Sequence, residues 1–183
     1  GAGSGFLSEA LLRAGLKVVA IDQSPAMLDV MRQKFPNQPV TYEVGTAEAL
    51  PLGDASVDYV FANMYLHHVE QPLAAIQEMA RLLRPGGKLV ITDLDSHTFE
   101  FLRAEQHDRW LGFARPDVQQ WLEQAGLRYA SVGDVGSNCC SDSACGTQRA
   151  DVTIFLAYGV KDNGQLDDTF AVAPASSSCG CSG

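Results

Sequence analysis

Three glycines alternate in the opening GAGSG, at Gly1, Gly3 and Gly5, and the chain passes from them straight into a helical stripe of Phe6, Leu7, Ala10, Leu11 and Ala14. Glycine at such a turn tolerates positive φ and lets a ligand approach the backbone closely. About twenty residues on, Asp22 ends a β-branched run that begins at Lys17, and a carboxylate there can accept both hydroxyls of a ribose. A tight turn and a helix-capping acid would use the same residues, and the glycines alone decide little. The two features at this spacing together point to a nucleotide-bearing ligand.

Two other groups could do chemistry. His67, His68, His97 and His107 are the candidates for a general base, with capping or packing as the plainer role for each. Tyr65 and Trp110 are candidates to line a substrate pocket, although aromatics at helical spacing are commonly core. The stretch SNCCSDSACG places Cys139, Cys140 and Cys145 within one short segment, and Cys179 and Cys181 follow near the end. Soft thiolates suit Zn²⁺, Cu(I) or a trivalent metalloid. Vicinal cysteines are poor joint ligands for one tetrahedral ion, so an inert loop, a structural or redox site and a metalloid site all stay open.

The elements that position these residues alternate. Lys17 to Asp22 reads as a buried strand, and Ser24-Pro25 as an N-cap followed by proline at the first helical position. Met27, Met31 and Phe35 continue that helix on one face. Residues 40–44, 57–63 and 88–94 read as strands, and 73–83 as a helix closed by Arg84-Pro-Gly-Gly. Phe99, Leu102, Gln106 and Trp110 predict a helix, as do Val118, Trp121, Leu122 and Ala125. Residues 128–135 and 152–158 read as a final antiparallel pair, with the three cysteines in the loop between them. Strand–helix alternation of this kind predicts an α/β fold with one mostly parallel sheet, and ligands bind such sheets beyond the carboxyl ends of the strands.

Composition bounds the rest. The chain has 183 residues, 46% hydrophobic and 19% charged, which suits one well-buried α/β domain. A net charge of -9 argues against nucleic-acid binding by this segment and against a polybasic membrane anchor. No apolar run approaches the ~20 residues of a membrane span. Five cysteines, all after residue 138, in a domain that needs no disulfide staples read as a protein of the reducing cytoplasm.

Four stretches in order complete the pattern: the glycine turn, GTAEALPL at 45–52, VDYVFANMYLHHVEQP at 57–72 and RLLRPGGKLVITD at 81–93. Together they resemble the class I S-adenosylmethionine-dependent methyltransferases, in particular the methyltransferase type 11 subgroup that contains quinone-biosynthesis enzymes. The resemblance implies a Rossmann-like sheet over residues 1–160 with one antiparallel strand; from 161 to 183 the chain is polar and rich in Cys, Ser and Gly, a composition that predicts a disordered tail. It implies S-adenosyl-L-methionine as cofactor and a small-molecule acceptor. In the family a first strand ends just before the glycine turn, and its absence here reads as N-terminal truncation, with strands 17–22 and 57–63 flanking an empty slot. By the same resemblance the backbone of Gly1, Ala2, Gly3 and Gly5 lies along the amino-acid end of the cofactor and Asp22 holds the ribose. Gln23 and Met27 flank the adenine, Ala47 offers its N–H to that ring, and Asn63 faces the methionine portion. Thr46 stands where the family usually has an acid, and can accept one bond from the adenine amino group. Two alternatives remain. One is arsenite methylation on the cysteine loop, although residues 1–138 hold no cysteine and such enzymes draw thiols from earlier in the chain. The other is an S-adenosylmethionine- or metal-sensing domain of a winged-helix regulator, which the stretches FEFLRAEQHDRWLGF and VQQWLEQAGL resemble.

Overall fold

The computed structural model describes residues 1–163. The helices and strands expected from sequence periodicity are met in order by α1 (Phe6–Arg13), β1 (Val18–Asp22), α2 (Pro25–Lys34), β2 (Val40–Val44) and β3 (Val57–Asn63). A 3₁₀ turn at Leu66–His68 precedes α3 (Pro72–Leu82), β4 (Leu83–Leu94), α4 (Phe101–Glu105), α5 (Arg115–Gln124), β5 (Leu127–Asp142) and β6 (Arg149–Lys161). The expected disordered tail, with Cys179 and Cys181, lies outside the described residues apart from its first three positions.

Local chemistry accounts for the ends of these elements. Gly5 precedes α1 at φ 82°, a left-handed conformation that glycine adopts without a Cβ penalty. A Cβ there would stand 2.6 Å from the Phe35 ring, so glycine also lets α1 approach α2. Ser24 caps α2 by accepting from the Met27 N–H at 3.4 Å, and Pro25 opens the helix. In α3 the buried positions Pro72, Ala75, Ile76, Met79, Ala80 and Leu82 follow the helical repeat.

The strands form an α/β fold, but in two sheets, which corrects the expected single one. β1 pairs with β2 in parallel, and a separate four-stranded sheet has the order β3-β4-β6-β5. β3 and β4 are parallel, while β6 runs antiparallel to both its neighbours, as expected for the strand at 152–158. The chain between β2 and β3 makes only an isolated bridge, Thr46 with Ala49, so no strand hydrogen-bonds β1 to β3. Instead they wall a cleft of about 1250 Å³, with Val19 and Ile21 on one side and Tyr59 and Phe61 on the other. The core divides accordingly. One cluster centres on Leu66, Ile76, Leu89, Ile91, Leu122 and Phe155, and a second on Val18, Ala20, Leu28, Met31 and Phe35.

Two further expectations change. The helix predicted over 99–110 is only Phe101–Glu105, because His107 takes φ 61° and turns the chain away. Trp110 then anchors through its ring N–H, which donates to the Val69 carbonyl at 2.9 Å. The final strand pair is longer than predicted, since β-bulges at Arg128/Ser131 and Asp134/Asn138 let the ladder resume beyond each irregularity. Cys139 and Cys140 therefore lie within β5, opposite Val152 and Asp151, and only Cys145 is in the connecting turn.

Candidate functional site

β1 delivers Asp22 beside the glycine turn. Its Oδ2 accepts from the Gly3 N–H at 2.8 Å and its Oδ1 from the Ser24 N–H at 2.9 Å, and the residue is buried. The acid thus ties the turn to the start of α2, which is its structural role. Each carboxylate oxygen retains a second lone pair, so the group can still accept two hydroxyls. Gly3 takes φ 55° with open space where a Cβ would stand, the condition for close approach of a ligand to backbone.

Gly1, Ala2, Gly3, Thr46, Ala47 and Asn63 all line the cleft between the sheets, together with Tyr65. Asp22, Gln23 and Met27 do not line it. Asp22 is buried, Gln23 and Met27 sit where β1 meets α2, exposed and half-buried, and Gly5 packs against Phe35. Asn63, at the end of β3, accepts from the Thr92 hydroxyl at 2.7 Å through its amide oxygen, which leaves its NH₂ free to donate. Tyr65 lies over Gly1, where a Cβ would come within 2.1 Å of the ring. Burial pushes its phenol pKa up, the charges of Glu48 and Asp22 add to that, and the Ala47 N–H opposes it. The phenol therefore faces the backbone group that the family resemblance assigns to an adenine ring.

Two of the four histidines, His67 and His68, lie together just past β3. His67 is buried, and its Nδ1 lies 2.7 Å from Oδ1 of Asp93, which is fully buried at the end of β4. Asp93 also accepts from the N–H groups of Leu66 at 2.7 Å, His67 at 3.3 Å and Leu94 at 2.8 Å. Burial acts to lower the His67 pKa, but the Asp93 hydrogen bond and charge, with Asp108, outweigh it and leave it raised. Burial and the His67 charge lower that of His68. His67 Nε2 and His68 Nδ1 each stand 3.7 Å from Oδ1 of Asp108. His107 contributes its carbonyl, 3.4 Å from His68 Nδ1, and its side chain is exposed. Asp93 and Asp108 are absent from the sequence-based candidates. Asp93 was visible as the acid closing LVITD, which a parallel β3–β4 pair puts beside the end of β3. Asp108 carries no local signal, because its place depends on the turn that His107 makes.

The structure does not gather Cys139, Cys140 and Cys145. Neighbours on a strand point to opposite faces, and Cys139 is half-buried whereas Cys140 is exposed. All three are free thiols. Burial pushes the Cys139 thiol up. Hydrogen bonds with Ser143 and Thr147, the latter at 2.9 Å, bring Cys145 down to about 7. Among the described residues, no helix is long and apolar enough to cross a membrane.

An α/β sheet with a glycine turn held by the acid of the next strand defines a protein of the Rossmann-like, nucleotide-binding kind. The methyltransferase domain family matches residues 1–91. The ubiquinone biosynthesis O-methyltransferase of Xanthomonas axonopodis pv. citri is 32% identical over 177 residues, covering 88% of this chain and 74% of that protein. The chain belongs to this methyltransferase family. The biotin biosynthesis bifunctional protein BioHC of Cellvibrio japonicus is 35% identical over 136 residues, 70% of this chain and 26% of that protein. The chain spans 26% to 40% of the length of several other relatives of this kind. Among solved structures, phosphoethanolamine N-methyltransferase 2 of Haemonchus contortus in complex with S-adenosyl-L-methionine superposes with a TM-score of 0.71 at 18% identity. That match covers 88% of this chain and 47% of that one, and it is a likeness of fold.

Proposed function

We propose that this chain transfers the methyl group of S-adenosyl-L-methionine to a small-molecule acceptor. The observation that carries the reading is the Gly3–Asp22 contact, which sets an open glycine backbone and a buried carboxylate side by side at the end of β1. Asp22 accepts the ribose hydroxyls with the lone pairs that Gly3 and Ser24 leave free. The backbone of Gly1, Ala2, Gly3 and Gly5 follows the amino-acid end. Gln23 and Met27 border the adenine, and Met27 offers a flexible apolar surface. Ala47 and Thr46 meet the polar edge of that ring once the Tyr65 phenol turns aside. Asn63 donates to the methionine portion.

When bound, the cofactor supplies a methyl group already activated on a sulfonium. The protein then has to align the acceptor and exclude water. The segment from Met64 to His68, which continues from Asn63 at the mouth of the cleft, is the part of the chain best placed to do both. Family membership supports the same reading, as does the small-molecule chemistry named for the quinone-pathway relative. Free thiols at Cys139, Cys140 and Cys145 support a reducing, cytoplasmic setting.

Titration calorimetry tests the proposal. S-adenosylhomocysteine should bind, and more tightly than NAD. Asp22→Ala should weaken that binding by ~2 kcal/mol or more, since two hydroxyls lose a charged acceptor. Tighter binding of NAD would overturn the methyltransferase reading, and unchanged affinity in Asp22→Ala would remove that residue from the site.

A further inference from the structure

His67, His68 and Asp108 stand apart from the residues assigned to the cofactor, and their donor atoms converge without bonding one another directly. Asp108 is buried, with 6% of its surface exposed, yet its nearest side-chain partners are two ring nitrogens at 3.7 Å. That is beyond hydrogen-bond range. A cation held between this carboxylate and the two ring nitrogens would be bound by all three. The three donor atoms all lie within 4.8 Å of one another. Ligands around a tetrahedral zinc ion are about 3.4 Å apart, given bonds of roughly 2.0–2.2 Å. The two Asp108 distances exceed that by only a few tenths of an ångström.

The surroundings hold these donors in place. Asp93 bonds His67 Nδ1 at 2.7 Å, which fixes the tautomer whose Nε2 carries a free lone pair toward Asp108. A carboxylate on the far nitrogen of a ligating histidine is the usual outer shell of a zinc site. The turn that carries Asp108 is pinned to the histidine segment by its backbone. The Arg109 and Trp110 N–H groups donate to the His67 carbonyl at 3.0 and 3.1 Å. His68 Nδ1 has only a long contact of 3.4 Å to the His107 carbonyl to give up. His97 stays outside this set: its Nδ1 accepts from the Phe99 N–H at 3.3 Å, which puts the proton of the neutral ring on Nε2.

We propose that His67, His68 and Asp108 bind a divalent first-row transition ion, Zn²⁺ above all. Two imidazoles and one carboxylate suit zinc and cobalt, whereas Mg²⁺ and Ca²⁺ favour all-oxygen sets. Three protein ligands leave a coordination position open for water or another donor.

Cobalt is the probe. The untagged full chain, stripped with chelator, is titrated with Co²⁺ and read by visible absorption, then back-titrated with Zn²⁺. One equivalent of Co²⁺ should produce the intense visible bands of a four- or five-coordinate nitrogen–oxygen site, and Zn²⁺ should abolish them. Asp108→Asn and His68→Gln should each weaken binding at least tenfold, and Asp93→Asn should weaken it 10- to 100-fold through His67. His68 is half-buried, so His68→Gln keeps the fold even if Asp108→Asn does not, and circular dichroism checks both. Absence of visible bands in the stripped protein overturns the proposal. So does unchanged cobalt affinity in folded His68→Gln. Thiolate-to-cobalt charge-transfer absorption in the near ultraviolet, persisting in that variant, would put the ion on the cysteines and overturn it equally. None of these readings depends on methyl transfer, so the site stands or falls separately from the function proposed above.

Discussion

Cys145 shows how far one residue's surroundings shift its chemistry. Its neighbours Cys139 and Cys140 share the same segment of sequence, but only Cys145 sits in a turn where the Ser143 and Thr147 hydroxyls reach its sulfur. Those contacts stabilise the thiolate and bring its pKa to about 7, while burial pushes Cys139 the other way. The thiolate is the nucleophile, so reactivity follows the deprotonated fraction. Cys145 should thus become reactive as pH rises through about 7, and Cys139 only at distinctly higher pH. Iodoacetamide labelling followed by peptide mass spectrometry, across pH 5 to 9, measures this. A midpoint for Cys145 above that of Cys139 would contradict the geometry of the turn. Asp22 makes a related point. Its two hydrogen bonds to backbone give it a structural role, and because they use one lone pair of each oxygen they leave room for the ligand role proposed above.

At the scale of elements, the connection from β4 to α5 depends on one glycine. Gly112 adopts φ 68°, and a Cβ there would stand 2.1 Å from the Asp95 carbonyl oxygen. The close approach lets Phe113 bridge to Asp95, and it sets Arg115 against the Asp95 carboxylate at 2.6 and 2.8 Å. Gly112→Ala should cost about 3 kcal/mol or more, as the clash is with backbone and the φ is unfavourable too. Urea denaturation would show it, and a loss under 1 kcal/mol would mean that the connection yields. Elements of this kind were legible unevenly. α2 and α3 carry their own start signals in Ser24-Pro25 and Pro72, and their apolar faces repeat at helical spacing, so sequence alone places them. α4 was overextended because Trp110 falls at helical spacing from Gln106, whereas its ring is held by Val69, a residue far away in sequence. The length of β5 was missed for a similar reason. Bulges are settled by the partner strand, and the polar, small-residue run from Ser137 looks like a loop until β6 pairs with it. The candidate cofactor residues were readable because they follow strands in order. Asp93 and Asp108 were not, because each matters through a neighbour brought in by the fold.

At the scale of the whole molecule, the two sheets share no ladder, and each has its own apolar cluster. Cooperative unfolding follows shared packing, so regions joined by fewer contacts open more readily on their own. β1 and β2, two strands covered by α1 and α2, make the smaller unit. Their amides should exchange with solvent at least tenfold faster than those of β4 and β6, which are the inner strands of the four-stranded sheet. Hydrogen-exchange mass spectrometry on the free protein checks this, and uniform protection across both sheets would contradict it. The cleft adds a consequence, because its walls come from both units. A ligand that touches Gly3 and Asn63 together, one on each side of the cleft, binds only while the units are closed upon each other. S-adenosylhomocysteine at about 100 times its Kd should therefore stabilise the closed arrangement by ~2.7 kcal/mol and slow exchange in β1 and β2 about 100-fold. Strands β4 and β6 should change less, because their opening already requires loss of the larger core. Equal slowing in all four strands would mean that the molecule opens only as one unit, and no slowing would mean that the ligand does not bridge the cleft.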